Sequence, residues 1–269
     1  MNARIRTAAR SVGFAGSFAA LLGGWLLRER VGALHHESLT SHDDERAVWL
    51  RRWCRSQFAL FDIRPTFVGD APYARSNGST APGRLVVANH RSAIDIILLL
   101  NVFGGYVISR ADLATWPLLG RGAREFGTVF VDRADPKSGA KTIRTISDRL
   151  KQGHTICLFP EGTTFEGDEV RPFHGGAFLA AKDAGADIVP VGIAYGTGSQ
   201  AAYVGTTFVQ HLARVAASSA PTKVGVVIGD PVKAQGPRGQ LGKTMHEEVS
   251  RLVTKAREIV DGPGASRPG

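Results

Sequence analysis

Cysteine is scarce in this chain, with two residues in 269, Cys54 and Cys157. Two cysteines without motif spacing exclude a disulfide-stapled scaffold and provide no metal-binding spacing. Cys157 lies in the apolar run HTICLF and reads as a small core residue, in keeping with a reducing, cytoplasmic-side setting. Acidic residues are also in short supply. Against 33 Lys and Arg stand 24 Asp and Glu, so the formal charge is +9 and the pI is near 10.0. Such an excess favours anionic partners. No RNP-type aromatic run and no zinc-knuckle spacing occurs, so no nucleic acid is expected, and the charge points to anionic lipid or phosphate. Internal repeats are absent.

A long unbroken apolar run is missing as well. The uncharged stretch SVGFAGSFAALLGGWLL, residues 11–27, is at the short end for a spanning helix, and its glycines weaken it. No clean small-x-small cleavage site follows it, as a signal peptide would require. Arg4, Arg6 and Arg10 precede the stretch, and Arg28 and Arg30 follow. It reads as a membrane-embedded or interfacial helix, the alternative being an apolar helix packed on the domain. Residues 44–61, DERAVWLRRWCRSQFALF, place Leu50, Trp53, Cys54, Phe58 and Phe61 on one helical stripe flanked by Arg46, Arg51, Arg52 and Arg55. A basic amphipathic helix with tryptophans suits a membrane interface. It also suits a surface helix that packs its stripe on the core. Residues 1–61 are therefore expected to form membrane-associating helices.

What is present is enough apolar material, 43% of the chain, for one large α/β domain. Strand-like runs occur at 85–88, 105–108, 128–131, 155–159, 188–195 and 223–228. Helical segments are expected at about 92–103, 137–151, 175–184 and 240–260. The alternation implies a mostly parallel sheet covered by helices. The domain is expected to span 62–260, with a polar loop at 70–83 and a disordered tail at 261–269.

The chemistry concentrates at strand ends. NHRSAID follows the strand LVVA and opens an apolar helix. A histidine there can act as a base near neutral pH, and an aspartate one turn into the helix can fix its tautomer. A helix-capping cluster would look the same by itself. GHTICLFPEGTT places Glu161 and Gly162 in a sharp turn after a second strand, where Gly162 suits a cradle of backbone N–H groups and Glu161 can bond a substrate hydroxyl or hold the loop, the alternative being a plain turn. In GTVFVDR, Arg133 follows a third strand and is available to a phosphate. IVPVGI, with Pro190, reads as structural or as the wall of an acyl groove.

In this order, NHRSAID, GTVFVDR, FPEGTT and VPVGI resemble the motifs of the phospholipid/glycerol acyltransferase family, the PlsC-like 1-acylglycerol-3-phosphate O-acyltransferases, over roughly residues 65–235. The resemblance implies a glycerol-3-phosphate acyltransferase-like α/β fold, with an N-terminal helical membrane element. It implies acyl transfer from acyl-coenzyme A or acyl carrier protein to the hydroxyl of a lysophospholipid, with no cofactor and no metal. On the family's HxxxxD motif, His90 would be the base and Asp95 its orienter. Asn89, Arg133, Glu161, Gly162, Thr163 and Thr164 would bind substrate. The expected product is phosphatidic acid, and the expected location is the cytoplasmic face of the inner (plasma) membrane, on an anionic surface. Two positions depart from the family pattern: Thr164 replaces a basic residue of FPEGTR, and His174 replaces the lysine of PFK. FPEGTT also resembles the lyso-ornithine-lipid branch of the superfamily. A lyso-ornithine acceptor, or a non-catalytic lipid-binding role, is thus the alternative.

Overall fold

The computed structural model describes residues 2–32, 39–70, 83–116, 118–131, 136–237 and 239–263. Two long helices come first, α1 (Ala3–Gly32) and α2 (Leu39–Phe61). Then follow β1 (Ile63–Val68), β2 (Arg84–Ala88), α3 (Ile94–Phe103), β3 (Tyr106–Arg110), a 3-10 turn (Ala111–Thr115), α4 (Leu119–Glu125) and β4 (Val129–Val131). The chain continues through α5 (Pro136–Lys151), β5 (Ile156–Leu158), α6 (Gly176–Ala184), β6 (Asp187–Tyr195), α7 (Phe208–Ala217), β7 (Thr222–Ile228), β8 (Val232–Lys233) and α8 (Gln240–Asp261).

The sheet order is β1-β7-β6-β2-β5-β3-β4, with β8 beside β6. Strands β6, β2, β5, β3 and β4 are mutually parallel; β7 and β1 are parallel to each other, and β7 is antiparallel to β6. Alternation along the strands sends residues to two cores. Val86, Ala88, Cys157, Val189 and Val191 face α1, α2 and α3, while Leu85, Val87, Ile156 and Ile188 join the core that holds Met245 and Val249 of α8.

Two strands that break propensity rules are placed where the rules allow. Pro65 of β1 lies on an edge strand, where the missing N–H costs no ladder bond. Pro190 lies inside the sheet, but on one flank it falls between the β8 pairing at Ile188 and the β7 pairing that starts at Val191. Its carbonyl still accepts from Gly229 N–H (2.9 Å).

The stripe expected on residues 44–61 faces the protein. Leu50, Cys54, Phe58 and Phe61 are buried in the core shared with the sheet, and Phe18, Leu21 and Trp25 of α1 join them. Arg46, expected as a flank, is also buried: it donates to the Phe126 carbonyl (3.0 Å) and lies over the Tyr106 ring at 3.9 Å. α2 comes so close to α3 that a Cβ on Gly104 would sit 2.5 Å from Ala47 Cβ; glycine also meets the left-handed φ of +59° at this cap. α1 keeps its other face outward, with Val12 and Leu27 well exposed, and is long and apolar enough to cross a membrane. α8 extends to Asp261, which bonds Thr197 and Arg257, so the ordered chain reaches past the expected start of the tail. Loop residues 71–82 and tail residues 264–269 lie outside the described residues.

Candidate active site

Three neighbouring strands, β2, β5 and β6, carry the site at their C-terminal ends, where open α/β sheets form their crevices. β2 runs into Asn89-His90-Arg91-Ser92 and then α3. Ser92 Oγ accepts from Ile94 N–H (3.1 Å) at the helix start, and Asp95 sits in the first turn, where a carboxylate is favoured.

Asp95 is fully buried yet fully engaged. Its Oδ2 accepts from His90 Nδ1 (2.9 Å) and from the backbone N–H groups of Arg91 (2.6 Å) and Ser92 (2.8 Å). Its Oδ1 accepts from the Tyr195 hydroxyl (2.6 Å) at the end of β6. An anion holding these donors requires His90 to carry its proton on Nδ1, which leaves Nε2 as the basic atom. The His90 side chain is 17% exposed, whereas that of Asp95 is sealed. Phe159 stacks on the imidazole with centroids 3.9 Å apart and planes at 9°, fixing the ring from one face. Burial, and after it the Asp95 charge, raise the Tyr195 pKa well above its ordinary value, so the hydroxyl stays a donor.

The remaining expected residues divide. Asn89 is fully buried and bonds Ile193 at both ends of its amide, Nδ2 to carbonyl and Oδ1 to N–H, each at 2.8 Å. It ties β2 to β6, and both ends of its amide are spent on that bond. Glu161 is likewise turned inward. Its Oε1 accepts from His90 N–H (2.7 Å) and Arg91 (2.9 Å), and its Oε2 accepts from Arg171 N–H (2.8 Å) and Arg91 (3.1 Å). Of its two expected roles, bonding substrate or holding the loop, the structure shows it holding the backbone of the histidine loop, because its strand end lies directly beside that loop. Gly162 takes the left-handed φ of +81°, but its N–H closes the turn on the Phe159 carbonyl (3.1 Å) and is not open to an anion. The Thr164 hydroxyl is spent on the Tyr203 carbonyl, while Thr163 is exposed. Arg133 lies outside the described residues.

Sequence reasoning missed Arg91, Phe159, Tyr195 and His211. Arg91 binds Glu161 in a buried pair and also donates to the carbonyls of Gly167 (2.6 Å) and Glu169 (2.7 Å), fastening the segment after the turn. Tyr195 ends an apolar strand and gave no sign of its polar role. His211 of α7 places Nε2 3.4 Å from Ser92 Oγ and stacks on Tyr203. Its helix begins with a capping box, Thr207 and Gln210, a signal that was present in TTFVQ.

Burial, then the nearby Arg214, push the His211 pKa from 6.5 down to about 4, with Asp95 acting the other way. The unfolded chain therefore takes up a proton below about pH 6.5 that the folded protein refuses until about pH 4. Stability should be full above this window and fall as pH drops through it. His211→Gln should flatten that decline in a series of thermal melts, and parallel declines in variant and wild type would refute the assignment.

From the start of α3, an apolar cavity of about 210 Å³ extends between helices. Ala93, Ile94 and Ile97 form one wall, Phe14 and Phe18 of α1 another, and Trp53 and Phe61 of α2 a third. The cavity wall begins at Ala93, three residues after His90 in the same turn into α3, and a base so near an apolar cavity suits the activation of a hydroxyl beside a long hydrocarbon chain.

Known proteins share the sequence pattern and the fold. The Acyltransferase family pattern matches residues 73–194. A lyso-ornithine lipid O-acyltransferase of Pseudomonas aeruginosa is 31% identical over 256 residues, spanning 92% of this chain and 93% of that protein. A 1-acyl-sn-glycerol-3-phosphate acyltransferase of Neisseria gonorrhoeae is 34% identical over 113 residues, or 42% of this chain and 44% of its own. The crystal structure of PlsC, the 1-acyl-sn-glycerophosphate acyltransferase of Thermotoga maritima, shares the fold, with a TM-score of 0.70 at 22% identity over 94% of this chain and 97% of that one. With the motifs in their order and a relative matched over nearly its whole length, the chain belongs to the PlsC-like acyltransferase family of lipid metabolism.

Proposed function

We propose that this acyltransferase esterifies a lyso-ornithine lipid, with His90 as general base and Asp95 as its orienter. His90 Nε2 removes the proton from the acceptor hydroxyl as its oxygen attacks the thioester carbonyl carbon of acyl-coenzyme A or acyl carrier protein. The new C–O bond forms, the C–S bond breaks, and the same imidazole returns the proton to the departing thiolate. The apolar cavity takes the long chain. α1, with Val12 and Leu27 exposed, seats the enzyme on the inner membrane at the cytoplasmic face, where anionic lipid complements the +9 charge.

Thr164 carries the choice of acceptor. It stands where the family pattern has a cation, and its hydroxyl is already engaged by Tyr203, so this position offers a phosphate neither charge nor donor. The near full-length similarity to a lyso-ornithine lipid O-acyltransferase supports the same reading.

The second reading is 1-acylglycerol-3-phosphate as acceptor, giving phosphatidic acid. It is favoured by the Neisseria similarity and by Arg133, which keeps the family's cationic position. Wild-type enzyme should use lyso-ornithine lipid with a kcat/KM at least about tenfold above that for lysophosphatidic acid, a difference of about 1.4 kcal/mol in transition-state binding. The reverse preference, with Arg133→Ala raising the KM for lysophosphatidic acid strongly, would replace the first reading by the second.

A further inference from the structure

The cavity is apolar except at a few atoms; among these, His211 Nδ1 of α7 and two atoms of α2 have no partner. Gln57 of α2 lines it and is 1% exposed. The Gln57 amide nitrogen donates to Ser17 Oγ (3.0 Å), Ser56 Oγ (3.0 Å) and the Trp53 carbonyl (3.4 Å). This commits Nε2 to the seam between α1 and α2 and leaves Oε1 buried without a donor. Trp53, one turn earlier on the same helix face, also lines the cavity. Its ring is held among Phe14 (6.0 Å) and Phe18 (5.4 Å), and its Nε1–H is buried without an acceptor. Buried polar atoms in folded proteins are nearly always paired, and leaving one unpaired is costly.

One lone acceptor and one lone donor, on adjacent turns of one cavity wall, define a complementary group. That group must accept from the indole and donate to the amide, and it must be carried on an otherwise apolar body. A hydroxyl on a hydrocarbon chain meets each condition. A trapped water at these two atoms would have the minimum of polar partners, since only Ser109, Thr128 and His211 add polar side chains to the rest of the lining.

We infer that Trp53 and Gln57 form a subsite for a hydroxyl group borne part-way along a long acyl chain, so that the enzyme selects hydroxylated chains by the position of the hydroxyl. The inference rests on the cavity being the acyl-chain site. The hydroxylated chain can arrive on the thioester donor or on the lyso-lipid acceptor, and the experiment separates the two.

Wild-type enzyme is assayed with long-chain acyl-coenzyme A donors that differ only in the position of one hydroxyl, against the plain chain, using one plain acceptor. The series is then repeated with the extra hydroxyl on the acceptor chain and a plain donor. One positional isomer in one of the two arms should exceed its plain counterpart in kcat/KM by roughly tenfold, the worth of relieving the two unpaired atoms. The arm in which it appears identifies the chain in the cavity. Trp53→Phe, which keeps the ring and removes the N–H, and Gln57→Leu should each return the hydroxylated-to-plain ratio toward one. The ratio is read within each variant, so a general loss of rate does not obscure it. Plain chains transferred with no isomer preferred in either arm would overturn the subsite and leave the proposed acyl transfer intact. A preference that survives both variants would do the same. No transfer from any thioester would remove the acyltransferase reading and the subsite with it.

Discussion

His90→Ala should lower kcat by about 10²–10⁴-fold, the usual worth of a positioned general base, while leaving the folded state nearly unchanged. The side chain is partly exposed and its main contacts are the Asp95 bond and the Phe159 stack, so little core packing is lost. Asp95→Asn should be as damaging for a different reason. The carboxylate accepts from two backbone N–H groups, the imidazole and the Tyr195 hydroxyl. An amide has one accepting oxygen, and the imidazole and both N–H groups share Oδ2, so the amide either keeps those three and turns its NH₂ to the Tyr195 hydroxyl, or keeps Tyr195 and turns its NH₂ on the imidazole and both N–H groups. The second outcome inverts the imidazole tautomer and protonates Nε2, a loss of up to about 10⁴-fold in the hydrolase triads that use the same logic. Both variants are to be measured as kcat at saturating donor and acceptor, with circular dichroism confirming the fold. If His90→Ala retains more than about a tenth of wild-type kcat, the base lies elsewhere.

Much of this architecture was legible because apolar runs and their breaks map directly onto buried strands. The runs at 85–88, 128–131, 155–159, 188–195 and 223–228 are all strands within a residue or two, and the four expected helices are present. β1 was hidden by Pro65, which argues against a central strand but not against the edge it occupies. α7 was missed, although its capping box was visible. The stripe on α2 was ambiguous in principle: periodicity shows that a helix has an apolar face and not what covers it, and here the sheet and α1 cover it.

The same limit governed the site. NHRSAID lies in one contiguous stretch, so the turn from strand to helix brings His90 to Asp95 and the pairing can be read from spacing. Tyr195 reaches Asp95 across a hundred residues of sequence, through the parallel pairing of β2 with β6, and a tyrosine ending an apolar strand looks like core. The cavity was illegible for the same reason. Its walls come from α1, α2, α3 and α7, and each contributes residues that look like ordinary core facing. Glu161 was found as a residue with its role open between substrate and loop, since nothing in FPEGTT reveals that Arg91 and the N–H of His90 stand opposite it.

The loop-holding role of Glu161 makes a second large prediction, this time on stability. The carboxylate and the Arg91 guanidinium are both buried, with side chains 0% and 5% exposed. Glu161→Gln keeps the shape but leaves the arginine without its counter-charge, and breaking one half of such a pair typically costs about 3–5 kcal/mol. For a chain of this size that corresponds to a fall in Tm of roughly 10 °C. Arg91 would keep its bonds to the carbonyls of Gly167 and Glu169, so the segment after the turn should stay attached, and the loss should be read mainly as an uncompensated charge. Removing the arginine as well, in Glu161→Gln with Arg91→Met, should therefore recover part of the stability, and the two effects should be strongly non-additive. Activity should fall in both forms, because an amide can accept at only one of the two positions that hold the His90 and Arg171 N–H groups, which loosens the histidine loop and the imidazole's registration against Asp95. A residue that gripped the acceptor would behave otherwise: Glu161→Gln would melt within about 2 °C of wild type and raise the acceptor KM with kcat little altered. That outcome would return Glu161 to the substrate and leave the histidine loop to be held by Arg91 alone.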